Sequence, residues 1–151
     1  MKNLHTKWLL GLSLCAVLGL AQAVDRFSYN ADGSQVIDSV TGLTWQRCAV
    51  GMTWNGNACG GTPVTYNQQD ALSLGVSGWR LPNIKELSSI ADLSRIGPAI
   101  DKTIFPMPPA TVFWSSTPFV GDPKNAWYVY FDNGGFDARV RTDVMSVRLV
   151  R

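Results

Sequence analysis

Residues 126–140 read AWYVYFDNGGFDARV, two β-prone runs around Asn133-Gly134-Gly135. A glycine-rich pair between such runs supplies positive φ at little cost, so the stretch is expected to be a hairpin of antiparallel strands. In its first arm Tyr128 and Tyr130 alternate with Trp127 and Val129, so one of the two sets should face outward. In its second arm Arg139 and the following Arg141 flank Val140 and share a face. The sequence TVFWSST (111–117) reads as a strand before this hairpin, and VMSVRLVR (144–151) as the last strand after it. In the last strand Met145, Val147 and Leu149 should point one way, with Ser146, Arg148 and Val150 pointing the other.

Working outward from that hairpin, the amino-terminal part also reads as short strands. Asp32-Gly33 is a turn pair, Val36-Ile37-Asp38 a brief strand, and 39–42 a second turn. The run 43–46 then places Leu43 and Trp45 on one face. Residues 48–65 are rich in glycine, threonine and asparagine and read as a long loop. Two helical patterns follow. TYNQQDALSLGV has Thr65 or Asn67 as its cap and stops at Gly75 and Gly78. WRLPNIKELSSIADL has Asn83 as cap and Glu86 three residues on, which is the capping-box spacing. Its apolar stripe of Ile84, Leu87, Ile90 and Ala91 belongs in a core. Residues 94–110 are proline-rich and should be irregular. Strands, helix, helix and strands in that order predict an α+β fold: two helices packed on a mainly antiparallel sheet, with the amino- and carboxy-terminal strands close together.

Residues 1–23 have Lys2 and Lys7, an uncharged apolar run over 8–20, and a small-x-small site at Ala21-Gln22-Ala23. This is the pattern of a secretory signal peptide. The run falls short of the ~20 residues that span a bilayer, so no lasting membrane insertion is expected. One exported domain, 24–151, would remain, either periplasmic or released to the cell surface. Without Lys2 and Lys7 the basic residues only equal the 11 acidic ones, and a neutral domain has no field to draw nucleic acid. An oxidising compartment predicts a disulfide between Cys48 and Cys59. The single histidine is His5, so the exported part has no imidazole for catalysis or for a transition metal. Turn chemistry accounts for Asp132-Asn133-Gly134 without calcium. No cofactor or metal is expected.

VIDSVTGLTWQRC, GWRLPNIKEL, FWSST, NAWYVYFDNG and SVRLVR occur in this order and cover nearly all of the exported part. Together they resemble the carboxy-terminal domain of the Legionella collagen-like adhesin. The closing segments are also similar to the wider C-type-lectin-like group, which includes the formylglycine-generating enzymes. The resemblance implies a C-type-lectin-like fold and a non-catalytic adhesion module. Its ligand would be a polysaccharide, sulfated ones included, or an envelope protein, and a homo-oligomer is compatible with it. An enzyme of the formylglycine-generating type and a structural subunit of a surface assembly remain the alternatives. Arg139, Arg141 and Arg148 are the candidate anion-binding row, with the aspartates Asp132, Asp137 and Asp143 as competing partners. Tyr128 and Tyr130 are the candidate stacking surface for a sugar ring.

Overall fold

A computed structural model describes residues 25–106 and 112–151. The expected signal segment 1–23 lies outside these residues, as does part of the proline-rich stretch. Three separate antiparallel sheets form. In the first, β1 (Phe27–Tyr29), β2 (Gln35–Asp38) and β3 (Thr44–Gln46) lie in sequence order. The turn between β1 and β2 is closed by side chains. Asn30 Oδ1 accepts from the Gln35 N–H at 2.9 Å, and Asp32 Oδ1 accepts from the Ser34 N–H at 2.9 Å. Val36 and Asp38 point inward while Ile37 is exposed, the two-residue period of a half-buried strand.

Asp38 holds this corner together. Its fully buried carboxylate accepts from Arg26 Nε at 2.9 Å and Nη2 at 2.7 Å, from Thr41 Oγ1 at 2.8 Å and from the Val40 N–H at 3.0 Å. Burial opposes the charge most strongly. The bonds from Arg26, Thr41 and Val40 together outweigh it and hold the pKa below the usual carboxylate value.

The stretch 48–65, expected as a loop, contains the second sheet, a hairpin of β4 (Met52–Trp54) and β5 (Cys59–Gly61). The expected Cys48–Cys59 disulfide forms and ties this hairpin to the residues just after β3. Gly51 has a φ of +91°, and a Cβ there would lie 2.6 Å from the backbone and side chain of Val64. Only glycine lets the two segments approach so closely.

The helices α1 (Gln68–Ser73) and α2 (Ile84–Ser89) have six residues each. Asn67 caps α1 by accepting from the Asp70 N–H. Asn83 and Glu86 complete the capping box of α2. Glu86 also accepts from both terminal nitrogens of Arg80 at 2.7 Å. That bond holds the Glu86 carboxyl below its ordinary pKa despite partial burial.

The third sheet is β6 (Val112–Pro118), β7 (Asn125–Tyr130) and β8 (Gly135–Val140), again in sequence order. The expected α+β fold, C-type-lectin-like with two helices on one sheet, is therefore corrected. Short helices beside three small antiparallel sheets make a mainly β protein. The turn chemistry closes hairpins locally, and among the described residues no sheet has more than three strands.

The carboxy-terminal segment takes the place of a larger sheet. Residues 145–150 are all buried, yet they form single bridges rather than a regular strand. Met145 bridges Tyr66, Ser146 bridges Phe113, and Val150 bridges both Trp45 and Arg80. The chain thus changes partner every few residues. Its alternation survives, but both faces are covered. Met145, Val147 and Leu149 enter a core with Ala71, Leu81 and Trp114. Val150 enters the other, with Trp45, Leu87, Phe105 and Phe113. Each large side chain so buried contributes roughly 1.5–3 kcal/mol.

Candidate functional site: a cleft between two tryptophans

The nominated arginines do not form one row. Arg139, with its side chain 58% exposed, has its Nε 3.6 Å from Asp143 Oδ2. Arg141 donates from Nε to the Asn125 carbonyl at 3.3 Å. Arg148 is wholly buried and separate from both. It lies over the Phe105 and Phe113 rings, 5.1 and 5.7 Å from their centres. Its Nη1 donates to the carbonyls of Gln46 (2.8 Å) and Arg47. Burial lowers its pKa to about 9, which leaves it charged at neutral pH. Tyr128 and Tyr130 are half-buried, and Tyr128 packs edge-on against Trp114.

The carbonyls that Arg148 holds end β3, and this strand supplies one wall of a cleft of about 500 Å³. Trp54 of β4 and Trp79, which follows α1, both line it. Gln35, Gln46, Met52 and Leu149 line it as well. Both tryptophans are half-buried.

Each indole is held in place. Trp54 Nε1 donates to the Asp32 carbonyl at 3.0 Å, and the Arg47 guanidinium stacks on this ring at 3.8 Å. Arg47 is itself fixed by Tyr29 at 4.3 Å and by the carbonyls of Gly33 and Thr103 at 3.2 and 2.7 Å. The Arg151 guanidinium lies 4.7 Å from the Trp79 ring and donates to Gln35 Oε1 at 2.9 Å. Among the described residues, neither Arg47 nor Arg151 has a carboxylate within ion-pair distance. Cation–π stacking of this kind stabilises by ~0.5–2 kcal/mol and stiffens the rings.

The cleft is therefore lined by two tryptophans and two glutamines, and a cation without a counter-ion among the described residues stacks on each indole. Aromatic faces stack on the C–H surfaces of sugar rings, amides match hydroxyl groups, and guanidinium groups match sulfate or carboxylate. Among the described residues, no group of three His, Cys, Asp or Glu side chains is placed to hold a metal ion. Sequence reasoning did not nominate Trp54, Trp79, Gln35 or Gln46. The available signal was Trp54 itself, the one aromatic residue in the stretch 48–65.

The family model of the Lcl C-terminal domain matches residues 34–151, which include every cleft residue named above. No curated protein matches the chain.

Proposed function

The chain belongs to the Lcl C-terminal domain family, a membership that suggests an extracellular or surface-associated domain, and from this premise we propose an exported, non-catalytic module that binds a polysaccharide in the Trp54–Trp79 cleft. The observation that carries this reading is the pair of indoles, each stacked on an arginine, that line one cavity together with Gln35 and Gln46. Arg47 and Arg151, each stacked on one of these indoles, favour a chain with sulfate or carboxylate substituents over a neutral one. The absence of histidine beyond position 5 supports a binding role, as does the engagement of Glu86, the single glutamate, in a helix cap. Export is part of the proposal and rests on the amino-terminal pattern.

The test is calorimetric titration of the protein with dextran sulfate and with unsulfated dextran. The sulfated chain should bind more tightly, and the difference should shrink as salt rises. Trp54→Ala and Trp79→Ala should each weaken binding about tenfold or more, roughly 1.4 kcal/mol, with circular dichroism unchanged. Arg139→Ala should leave binding within about twofold, less than half a kcal/mol. Binding that ignores both tryptophan changes would remove the cleft as the site. Failure of both polymers to bind would refute the reading for these saccharides.

A further inference from the structure

The strand β8 is an edge. β7 covers one side of it, and among the described residues no strand pairs with the other. The Arg141 N–H donates to the Lys124 carbonyl at 2.9 Å, one step beyond the Asn125↔Val140 pair. Backbone groups alternate sides along a strand, so Gly135, Asp137 and Arg139 also turn theirs toward β7. Phe136, Ala138 and Val140 turn theirs outward. The Ala138 N–H agrees with this, since it is bonded to the side chain of Asp137 at 2.7 Å. The Val140 carbonyl is taken by the Asp143 N–H.

The outward side also has an apolar face. Phe136 and Val140 are 60% and 43% exposed and stand on the same side of the sheet as Trp127. Trp127 packs edge-on against Phe136 and Phe119, with ring centres 5.8 and 5.3 Å apart. Asp137 and Arg139 project from the opposite face, both exposed.

We infer that β8 pairs antiparallel with β8 of a second copy of this chain, about a two-fold axis at Ala138. The charges select this register. It sets Asp137 opposite Arg139 of the other copy twice over, and Phe136 opposite Val140 twice over. The two Ala138 residues exchange backbone bonds, and each Val140 N–H reaches a Phe136 carbonyl. The two neighbouring registers that also bring outward groups together place Asp137 against Asp137 or Arg139 against Arg139. Like charges directly opposite each other are destabilising. Two contacts within one chain compete. The exposed Arg139–Asp143 pair is of a kind that is weak. The bond from the Ala138 N–H to Asp137 Oδ1 is exchanged on pairing for one to a backbone carbonyl, which frees Asp137 for Arg139 of the other copy. Pairing would join two three-stranded sheets into one of six strands and cover the exposed Phe136 and Val140 side chains.

Sedimentation velocity on the full chain over a concentration series tests this. The chain should show a monomer–dimer equilibrium. Asp137→Arg and Arg139→Asp should each raise the dissociation constant about tenfold or more, and the double reversal should restore it to within about threefold. Near-ultraviolet circular dichroism checks that each variant is folded. A chain that stays monomeric up to about 1 mM overturns the proposal. Single reversals that leave dimerisation unchanged do the same. A folded double reversal that fails to recover overturns the register.

Discussion

Replacing Arg26 by methionine tests how the first sheet is held. Arg26 has about a third of its side chain in solvent, whereas the carboxylate of Asp38 has none. The change removes both guanidinium bonds to Asp38 and the bond from Nη2 to the Ser89 carbonyl at the end of α2. It leaves an ionised carboxylate in full burial, a class of change that costs roughly 3–5 kcal/mol. Thr41 and the Val40 N–H still serve Asp38, so the lower end applies, about 3 kcal/mol at pH 7. With a urea slope of about 2 kcal/mol per M, the unfolding midpoint should fall by about 1.5 M. Tryptophan fluorescence reads the transition, since Trp45 is buried in this sheet.

The cost should also depend on pH in a definite sense. In the parent protein the Asp38 pKa is lowered. Its stabilisation is therefore present above the unfolded carboxyl value of about 3.9 and is lost as pH falls through the folded value. Without Arg26, burial dominates and the folded pKa moves above the unfolded one. The penalty is then full at pH 7 and smaller at pH 3, because the raised pKa lets Asp38 of the variant take up a proton before that of the parent does. A loss below about 1 kcal/mol at pH 7, or an equal loss at both pH values, would refute the reasoning.

Glu86→Ala should cost about 1–2 kcal/mol, because it removes both the capping box and the partner of a half-exposed Arg80. The Glu86 pKa is lowered, so this stabilisation exists above about 4.3 and fades in acid; the variant should show a shallower loss of stability on acidification. Changing both Cys48 and Cys59 to serine should cost about 2–3 kcal/mol in urea unfolding, by the loop-entropy argument for a sequence separation of 11. That variant should also bind dextran sulfate more weakly when still folded, since the bridge anchors the hairpin that carries Trp54.

Much of the local structure was legible in the residues. Asp32-Gly33, the Asn83/Glu86 box and the Asn67 cap act over three or four positions, and each forms where its chemistry is written. The hairpin 126–140 and the Cys48–Cys59 bridge were legible for the same reason. The α+β reading failed because element order does not state element length. Six-residue helices beside three small sheets give a different architecture from the same order of elements. The hairpin inside 48–65 was missed because its strands are three residues long and rich in glycine, below the span at which periodicity is informative.

By itself the sequence determined the turns, the caps, the disulfide partners and the alternation along 145–150, because each depends on residues close in the chain or on a single reactive pair. Tertiary structure alone decided what that alternation meant. Both faces of the last segment are covered, so Arg148 is enclosed at the end of β3 while Arg139 stays in solvent. The cleft belongs to the same level. Gln35, Gln46, Trp54, Trp79 and Leu149 come from five places in the chain, and long-range pairing brings them to one cavity. Such contacts follow from how the carboxy-terminal segment bridges successive elements, a property of the packed molecule that no short stretch encodes.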